Sequence, residues 1–216
     1  LFRLARRGGA ATAMKLYGSL TSPFVRTVRI AAIELGLDGQ IQLVPTVVRP
    51  TQPNRVFGAS VNPLRRVPAL ETDDGEIFID SRVIVEFLNR AAKGAVVPKG
   101  ANARIACFNR HAIFAGATEA LVAAMYEMRL RPEERRWPEW AEDQIDKAQT
   151  ALDWAEPRLD DIAAEFDLAA IAFRCLIDYA RFRFSSIDWM KGRPAVAAFA
   201  AETERRSSVA VTEPRE

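Results

Sequence analysis

Ser22-Pro23, Val67-Pro68 and Asp80-Ser81 are the pairs in this chain whose types and neighbours suit them to chemistry. Proline is favoured at the first position of a helix, where the N–H it lacks would have no partner, and this predicts Ser22 as an N-cap. Capping alone accounts for such a serine and contributes about 1 kcal/mol. The same geometry can hold an anion, because amides at a helix start are unsatisfied and carry partial positive charge. A hydroxyl there can donate to a thiolate, drawing a thiol pKa down from about 8.5 toward neutrality. Thr21 offers a second hydroxyl with the same two uses.

Arg65-Arg66-Val67-Pro68 puts an X-Pro step at the entrance of an apolar run. A cis bond there would leave the backbone N–H and C=O of Val67 free to pair with an extended peptide. A trans proline opening an edge strand is the plain alternative. Asp80-Ser81 precedes an amphipathic segment, with Ser81 read as its N-cap. A serine hydroxyl and helix-start amides can hold a carboxylate while Asp80 neutralises an amine, or the pair can simply cap a helix.

The elements that must position these residues follow in order. Residues 15–20 (KLYGSL) read as a strand, and 23–36 as a helix with Val25, Val28, Ala32 and Leu35 on one face and Gly36 as its stop. IQLVPTVV at 41–48 is a β-branched strand, and 49–63 is loop or short broken helix. Ala69–Thr72 and Glu76–Ile79 form a hairpin about Asp74-Gly75, and a helix follows with Val83, Ile84, Phe87 and Leu88 on one face. This β-α-β, loop, β-β-α order is that of an α/β thioredoxin-like sheet. After a Gly- and Pro-punctuated linker at 94–100, only helices are expected, at 101–130, 139–164, 168–184 and 194–205. The implied domains are 14–94 and an all-α C-terminal domain at 100–216.

Composition narrows the chemistry. The 216 residues carry 30 Lys plus Arg and 28 Asp plus Glu, and the basic residues are dispersed, which argues against nucleic acid as a partner. Cys107 and Cys175 have no metal-ligand spacing and read as reduced thiols, consistent with a cytoplasmic protein. With one histidine, His111, neither a His-based metal site nor a Ser-His-Asp triad is expected. No apolar run approaches the ~20 residues of a membrane span. Residues 1–13, LFRLARRGGAATA, are read as an upstream extension with Met14 as the functional start, although the Arg-rich, acid-free composition also suits a mitochondrial-type presequence.

Taken together, LYGSLTSPFVRTVRIAAIELGL, NPLRRVPAL and DGEIFIDSRVIVEFL resemble the bacterial glutathione transferases, and the likeness runs from Met14 to about Pro214. The resemblance implies a thioredoxin-like glutathione site, an all-helical domain for the second substrate, and a homodimer. It implies that glutathione enters as co-substrate, without a metal, and that its thiolate attacks a small hydrophobic electrophile. By the same likeness Ser22 is the hydroxyl at the sulfur, Val67 pairs with the cysteinyl unit, Asp80 and Ser81 hold the γ-glutamyl end, and Arg66 attracts the glycyl carboxylate. A non-catalytic binding or regulatory protein of this fold, and a glutathione-dependent isomerase or ether-cleaving enzyme, are the alternatives.

The chain departs from the family pattern in two places. Arg65 stands where the motif usually has glycine, and at Asp167-Leu-Ala-Ala170 only the cap of the usual capping box remains. No cysteine lies at 21–24, which disfavours the cysteine-type members, and Tyr17, near the position used by tyrosine-type members, reads as core. Arg26 and Arg29 are expected on a solvated helix flank or in ion pairs between subunits. His111 is read as a satisfied surface or interface residue, or as facing the second-substrate cleft. Trp137, Trp140, Trp154 and Trp189 are expected to pack at helix ends.

Overall fold

The computed structural model describes residues 14–216, so the extension expected at 1–13 lies outside the described residues. β1 (Met14–Gly18) pairs in parallel with β2 (Ile41–Pro45), and α1 (Pro23–Glu34) connects them. β3 (Ala69–Glu71) and β4 (Ile77–Phe78) add antiparallel strands to give the order β2-β1-β3-β4. A short α2 (Arg55–Ser60) interrupts the loop after β2, and α3 (Ser81–Ala92) follows β4. The strands are shorter than the apolar runs that announce them. β2 ends at Pro45, which has no N–H to extend the ladder.

Alternation along β1 separates the two sheet faces. Met14 and Leu16 are buried in the core with Val25, Val28, Ile84 and Leu88, whereas Tyr17 on the opposite face packs 5.7 Å from the Phe57 ring of α2. Gly18 is required where β1 meets α1, since a Cβ there would lie 2.5 Å from Val25 Cγ2. The expected face of α3 shifts by part of a turn: Ile84, Val85 and Leu88 are buried, and Val83 is exposed.

The remainder is helical, with α4 (Ala101–Arg129), α5 (Pro138–Ala155), α6 (Leu159–Ala163), α7 (Leu168–Arg183), α8 (Pro194–Glu204) and α9 (Ser207–Ala210). The single helix expected over 139–164 is broken by a 3₁₀ turn at Glu156–Arg158, where Pro157 cannot donate the hydrogen bond that a continuous helix needs. α7 is the keystone. Phe173, Leu176 and Ile177 face the helices, while Leu168, Ile171 and Cys175 enter the core beneath the sheet. Its cap is Asp167, whose Oδ1 accepts from the Ala169 and Ala170 N–H groups at 2.9 and 3.0 Å. Its other oxygen, Oδ2, pairs with Arg110 of α4 at 3.4 Å. Of the tryptophans, Trp189 is buried and donates to the Phe184 carbonyl at 3.1 Å, but Trp137, at the start of α5, is exposed rather than packed.

Candidate functional site

Strand direction gathers the singled-out residues. Gly18 lies opposite Pro45 in the parallel pair, and Tyr17 lies opposite Ala69 in the antiparallel one. The chain therefore leaves β1 toward Ser22, leaves β2 toward Arg49 and enters β3 from Arg66 and Val67, all at one end of the sheet. β4 runs back along β3, with Phe78 opposite Leu70, and delivers Asp80 and Ser81 to the same end.

Ser22 is the N-cap of α1, as its Ser-Pro pairing predicts, with Pro23 first in the helix. Its Oγ accepts from the Val25 N–H at 3.3 Å, a long bond that uses a lone pair and leaves the hydroxyl proton available. Thr21 differs, because its hydroxyl is engaged with Ser19 Oγ at 3.1 Å.

The Val67-Pro68 peptide is cis. Among the described residues, neither the N–H nor the C=O of Val67 has a hydrogen-bond partner within the chain. Asn62 shapes the approach to it by donating through Nδ2 to the Arg66 carbonyl at 2.8 Å. Arg65 adopts φ 52°, the left-handed region that glycine enters at least cost, so the backbone keeps a glycine-like form without the glycine.

The third pair corrects the expectation for Ser81. Asp80 is the N-cap of α3, its Oδ1 accepting from Arg82 N at 3.0 Å and Val83 N at 3.3 Å, and Ser81 is the first helical residue. Asp80 has the extended backbone of a cap residue, φ −83° and ψ −163°, and its carboxylate also complements the helix dipole. Ser81 is buried, and among the described residues its hydroxyl has no hydrogen-bond partner.

α4 meets residues from this end of the sheet at several points along its length. Near its start, Arg104 and Arg82 approach the Phe108 ring at 4.8 and 5.7 Å. In the middle, His111, Ala115 and Thr118 meet Pro23, Phe24 and Thr27 of α1 around a narrow crevice that Ala172 and Cys175 close from below. Near its end, Tyr126 comes within the field of Arg49, Arg183 and Arg66. His111 is buried in this middle portion rather than placed on the surface, and burial, reinforced by Arg82 and partly offset by Asp80 and Asp167, pushes its pKa down to about 4. The imidazole is therefore neutral at physiological pH.

Arg26 also departs from expectation. Instead of a solvated flank, it occupies a buried side of α1 that α7 and α9 cover, where it pairs with Asp178 and donates to the Val209 carbonyl at 3.2 Å. Arg29 is half-buried and reaches the Val211 carbonyl at 3.4 Å. Tyr17 donates to Glu71 Oε2 at 2.5 Å, which raises its pKa to about 12 and commits its proton away from any ligand. Cys107 is pushed up to about 12 and Cys175 is also raised, chiefly by burial, so both thiols stay protonated and inert.

Residues 16–95 match the family model described as the glutathione S-transferase N-terminal domain. Over 206 residues, 93% of this chain and 98% of the relative, the sequence is 32% identical to the uncharacterized GST-like protein YibF of Escherichia coli K12. A shorter match, 39% identical over 75 residues and 35% of each chain, is to maleylacetoacetate isomerase of Pseudomonas aeruginosa. Among solved structures, a glutathione transferase family member from Pseudomonas fluorescens Pf-5 with bound glutathione superposes with a TM-score of 0.89 at 31% identity, covering 94% of this chain and all (100%) of that one. The same protein with bound S-(propanoic acid)-glutathione gives a TM-score of 0.86 over the same shares, 94% and 100%, also at 31% identity. The full-length similarity to YibF, on a thioredoxin-like sheet completed by an all-helical half, shows that this chain belongs to the glutathione S-transferase family.

Proposed function

We propose that the protein is a glutathione transferase whose Ser22 hydroxyl donates to the glutathione sulfur and holds it as a thiolate for attack on a small electrophile. The observation that carries this reading is one end of the sheet presenting three unspent sets of groups: the Ser22 hydroxyl proton, the Val67 backbone and the Ser81 hydroxyl. They suit a tripeptide with a central thiol. The Ser22 proton and the α1 amides take the sulfur, Val67 pairs with the cysteinyl backbone, and Ser81 with Asp80 holds the γ-glutamyl group. Arg66 attracts the glycyl carboxylate. The bound glutathione in the Pseudomonas fluorescens neighbour supports the same ligand here. Thr21 contributes through the loop, since its own hydroxyl is shared with Ser19.

The electrophile is held by the helical domain, whose α4 residues His111 and Ala115 pack beside Phe24 at the start of α1 around a crevice too narrow to admit it. We assign the site to a 14–94 domain and the cleft wall to a 100–216 domain. Homodimerisation and a cytoplasmic location belong to the same reading; Leu64 and Ile105 are large apolar side chains left exposed, and sedimentation of the purified chain gives its assembly. Retention on immobilised glutathione together with conjugation of an aryl halide tests the activity, and failure of both would overturn it. The partial match to maleylacetoacetate isomerase favours one further reading, a glutathione-dependent isomerase, for which a cis-to-trans assay on unsaturated acids is the discriminating measurement.

A further inference from the structure

His111 is a buried polar side chain that no other side chain or backbone group satisfies. The residue is 6% exposed, and among the described residues its ring nitrogens have no hydrogen-bond partner. A neutral imidazole carries one N–H that donates and one bare nitrogen that accepts. A buried donor without a partner forfeits its hydration and gains nothing in return, which is why such groups are rare in folded proteins.

The fold places suitable partners around one small space. His111 lines a crevice where α1, α4 and α7 meet, and its other polar members are Thr27 of α1, Thr118 of α4 and Cys175 of α7. The space is about 10 Å³, the threshold for one water molecule and too little for an organic ligand. Thr27 and Thr118 are each 3% exposed and are bonded alike: Thr27 Oγ1 donates to the Pro23 carbonyl at 3.1 Å, and Thr118 Oγ1 donates to the Phe114 carbonyl at 2.8 Å. A hydroxyl that has given its proton to a carbonyl keeps its lone pairs and can only accept from a further partner. The crevice therefore offers two acceptors and, from the ring, one donor. An apolar cavity of this size stays dry, whereas one with two to four polar partners holds a water.

We propose that the crevice is a binding site for a single water molecule, which accepts the His111 N–H and donates its two protons to Thr27 Oγ1 and Thr118 Oγ1. Three hydrogen bonds match the usual complement of a buried water, about three. The water joins α4 to α1, and Thr27 passes the constraint to the Pro23 carbonyl, in the turn that Ser22 caps. His111 is thereby a positioning residue for Ser22, acting by fixing the start of α1. This consequence, unlike the water site itself, rests on the transferase reading above.

A high-resolution crystal structure of the full chain, with water–protein NOEs in solution, reads the site without any reaction. The expected result is one long-lived water within hydrogen-bond distance of the His111 ring and of both threonine oxygens. A dry crevice, or a ring N–H bonded to a protein group, would overturn the site. Thr27→Val and Thr118→Val keep the side-chain shape and remove one acceptor each. Each is expected to lower the folding equilibrium constant about fivefold, and the double variant by less than the ~25-fold product, because both act on the same water. Losses that multiply would show that the two threonines share no partner. His111→Leu, which removes the donor, is expected to move the pH–rate profile of glutathione conjugation toward that of the free thiol, and His111→Gln, which keeps an N–H, to move it less. Equal shifts, or none in either variant, would overturn the positioning of Ser22. A water found in place with no electrophile conjugated would uphold the site and overturn only the transferase reading.

Discussion

Arg26, one turn into the helix that Ser22 caps, forms a buried ion pair with Asp178 of α7, tying the sheet side of the site to the helical half. Asp178 also accepts from Arg174 Nε at 2.8 Å, so a single carboxylate balances two buried guanidinia. Arg26 further reaches Thr212 Oγ1 at 3.3 Å, and Arg174 reaches Thr203 Oγ1 at 3.1 Å. These bonds make the position of α1 depend on the C-terminal segment.

The charge balance of this network predicts an asymmetry. Asp178→Asn leaves two buried cations without a counter-charge and is expected to cost about 3–5 kcal/mol, the range for breaking a buried pair. Arg26→Met leaves Arg174 and Asp178 matched, removes a charge and keeps an apolar stem, so it costs less. Urea midpoints of the two variants check the order. Equal losses would show that packing, rather than charge, dominates at this contact.

Ser22→Ala is expected to act on two readouts. Loss of the cap costs about 1 kcal/mol of stability, visible in thermal unfolding. Loss of the proton donor lowers kcat/KM for aryl-halide conjugation about 10–100-fold and moves the pH–rate profile of bound glutathione toward that of a free thiol. Ser22→Gly separates the two, since glycine keeps most of the capping at a cost of a few tenths of a kcal/mol. Full activity in both variants would exclude Ser22 from the sulfur.

Tyr17→Phe, by contrast, is expected to leave conjugation intact, because the phenol proton is committed to Glu71. The change costs about 1 kcal/mol through the lost hydrogen bond. A collapse of activity in this variant would transfer the catalytic role from Ser22 to Tyr17.

His111 predicts a pH dependence of stability. Its folded pKa, near 4, lies below the unfolded value of about 6.5, so between those values the unfolded chain binds the extra proton. Stability from this residue is complete above about pH 6.5 and is lost as the pH falls toward 4, by up to about 3 kcal/mol. Because carboxylates titrate in the same range, the measurement is the difference between the wild-type chain and His111→Asn at pH 7 and pH 5. The variant loses less on acidification, and parallel losses would show that His111 is not buried in its neutral form.

Arg65→Gly is expected to hold or raise the melting temperature, even though it restores flexibility. The left-handed φ of 52° costs a branched or bulky side chain about 1–2 kcal/mol that glycine does not incur, against about 0.5–1 kcal/mol of added chain entropy. Arg65→Val is expected to destabilise. If both variants behaved alike in thermal melts, the backbone at 65 would not be confined to that conformation.

Local relationships were legible in the amino-acid sequence. The Ser-Pro step announced the start of α1, and Asp167 announced α7. Each depends on residues within one turn, where backbone geometry dictates the partner. The order of strands and helices was readable for the same reason, and the joint spacing of the three residue pairs carried the family likeness.

Tertiary structure decided what depended on distant neighbours. Whether Arg26 faced water or a carboxylate rested on Asp178, 152 residues away in the chain, and periodicity cannot register such a partner. Val83 and Val85 exchanged places between core and surface because the packing of α3 selects among overlapping apolar faces. Asp80 took the cap from Ser81 once the exit of β4 set the backbone at that turn. Arg129 Nη2 meets the Arg183 carbonyl at 2.8 Å because α4 and α7 end side by side, a contact between distant segments that local spacing does not register.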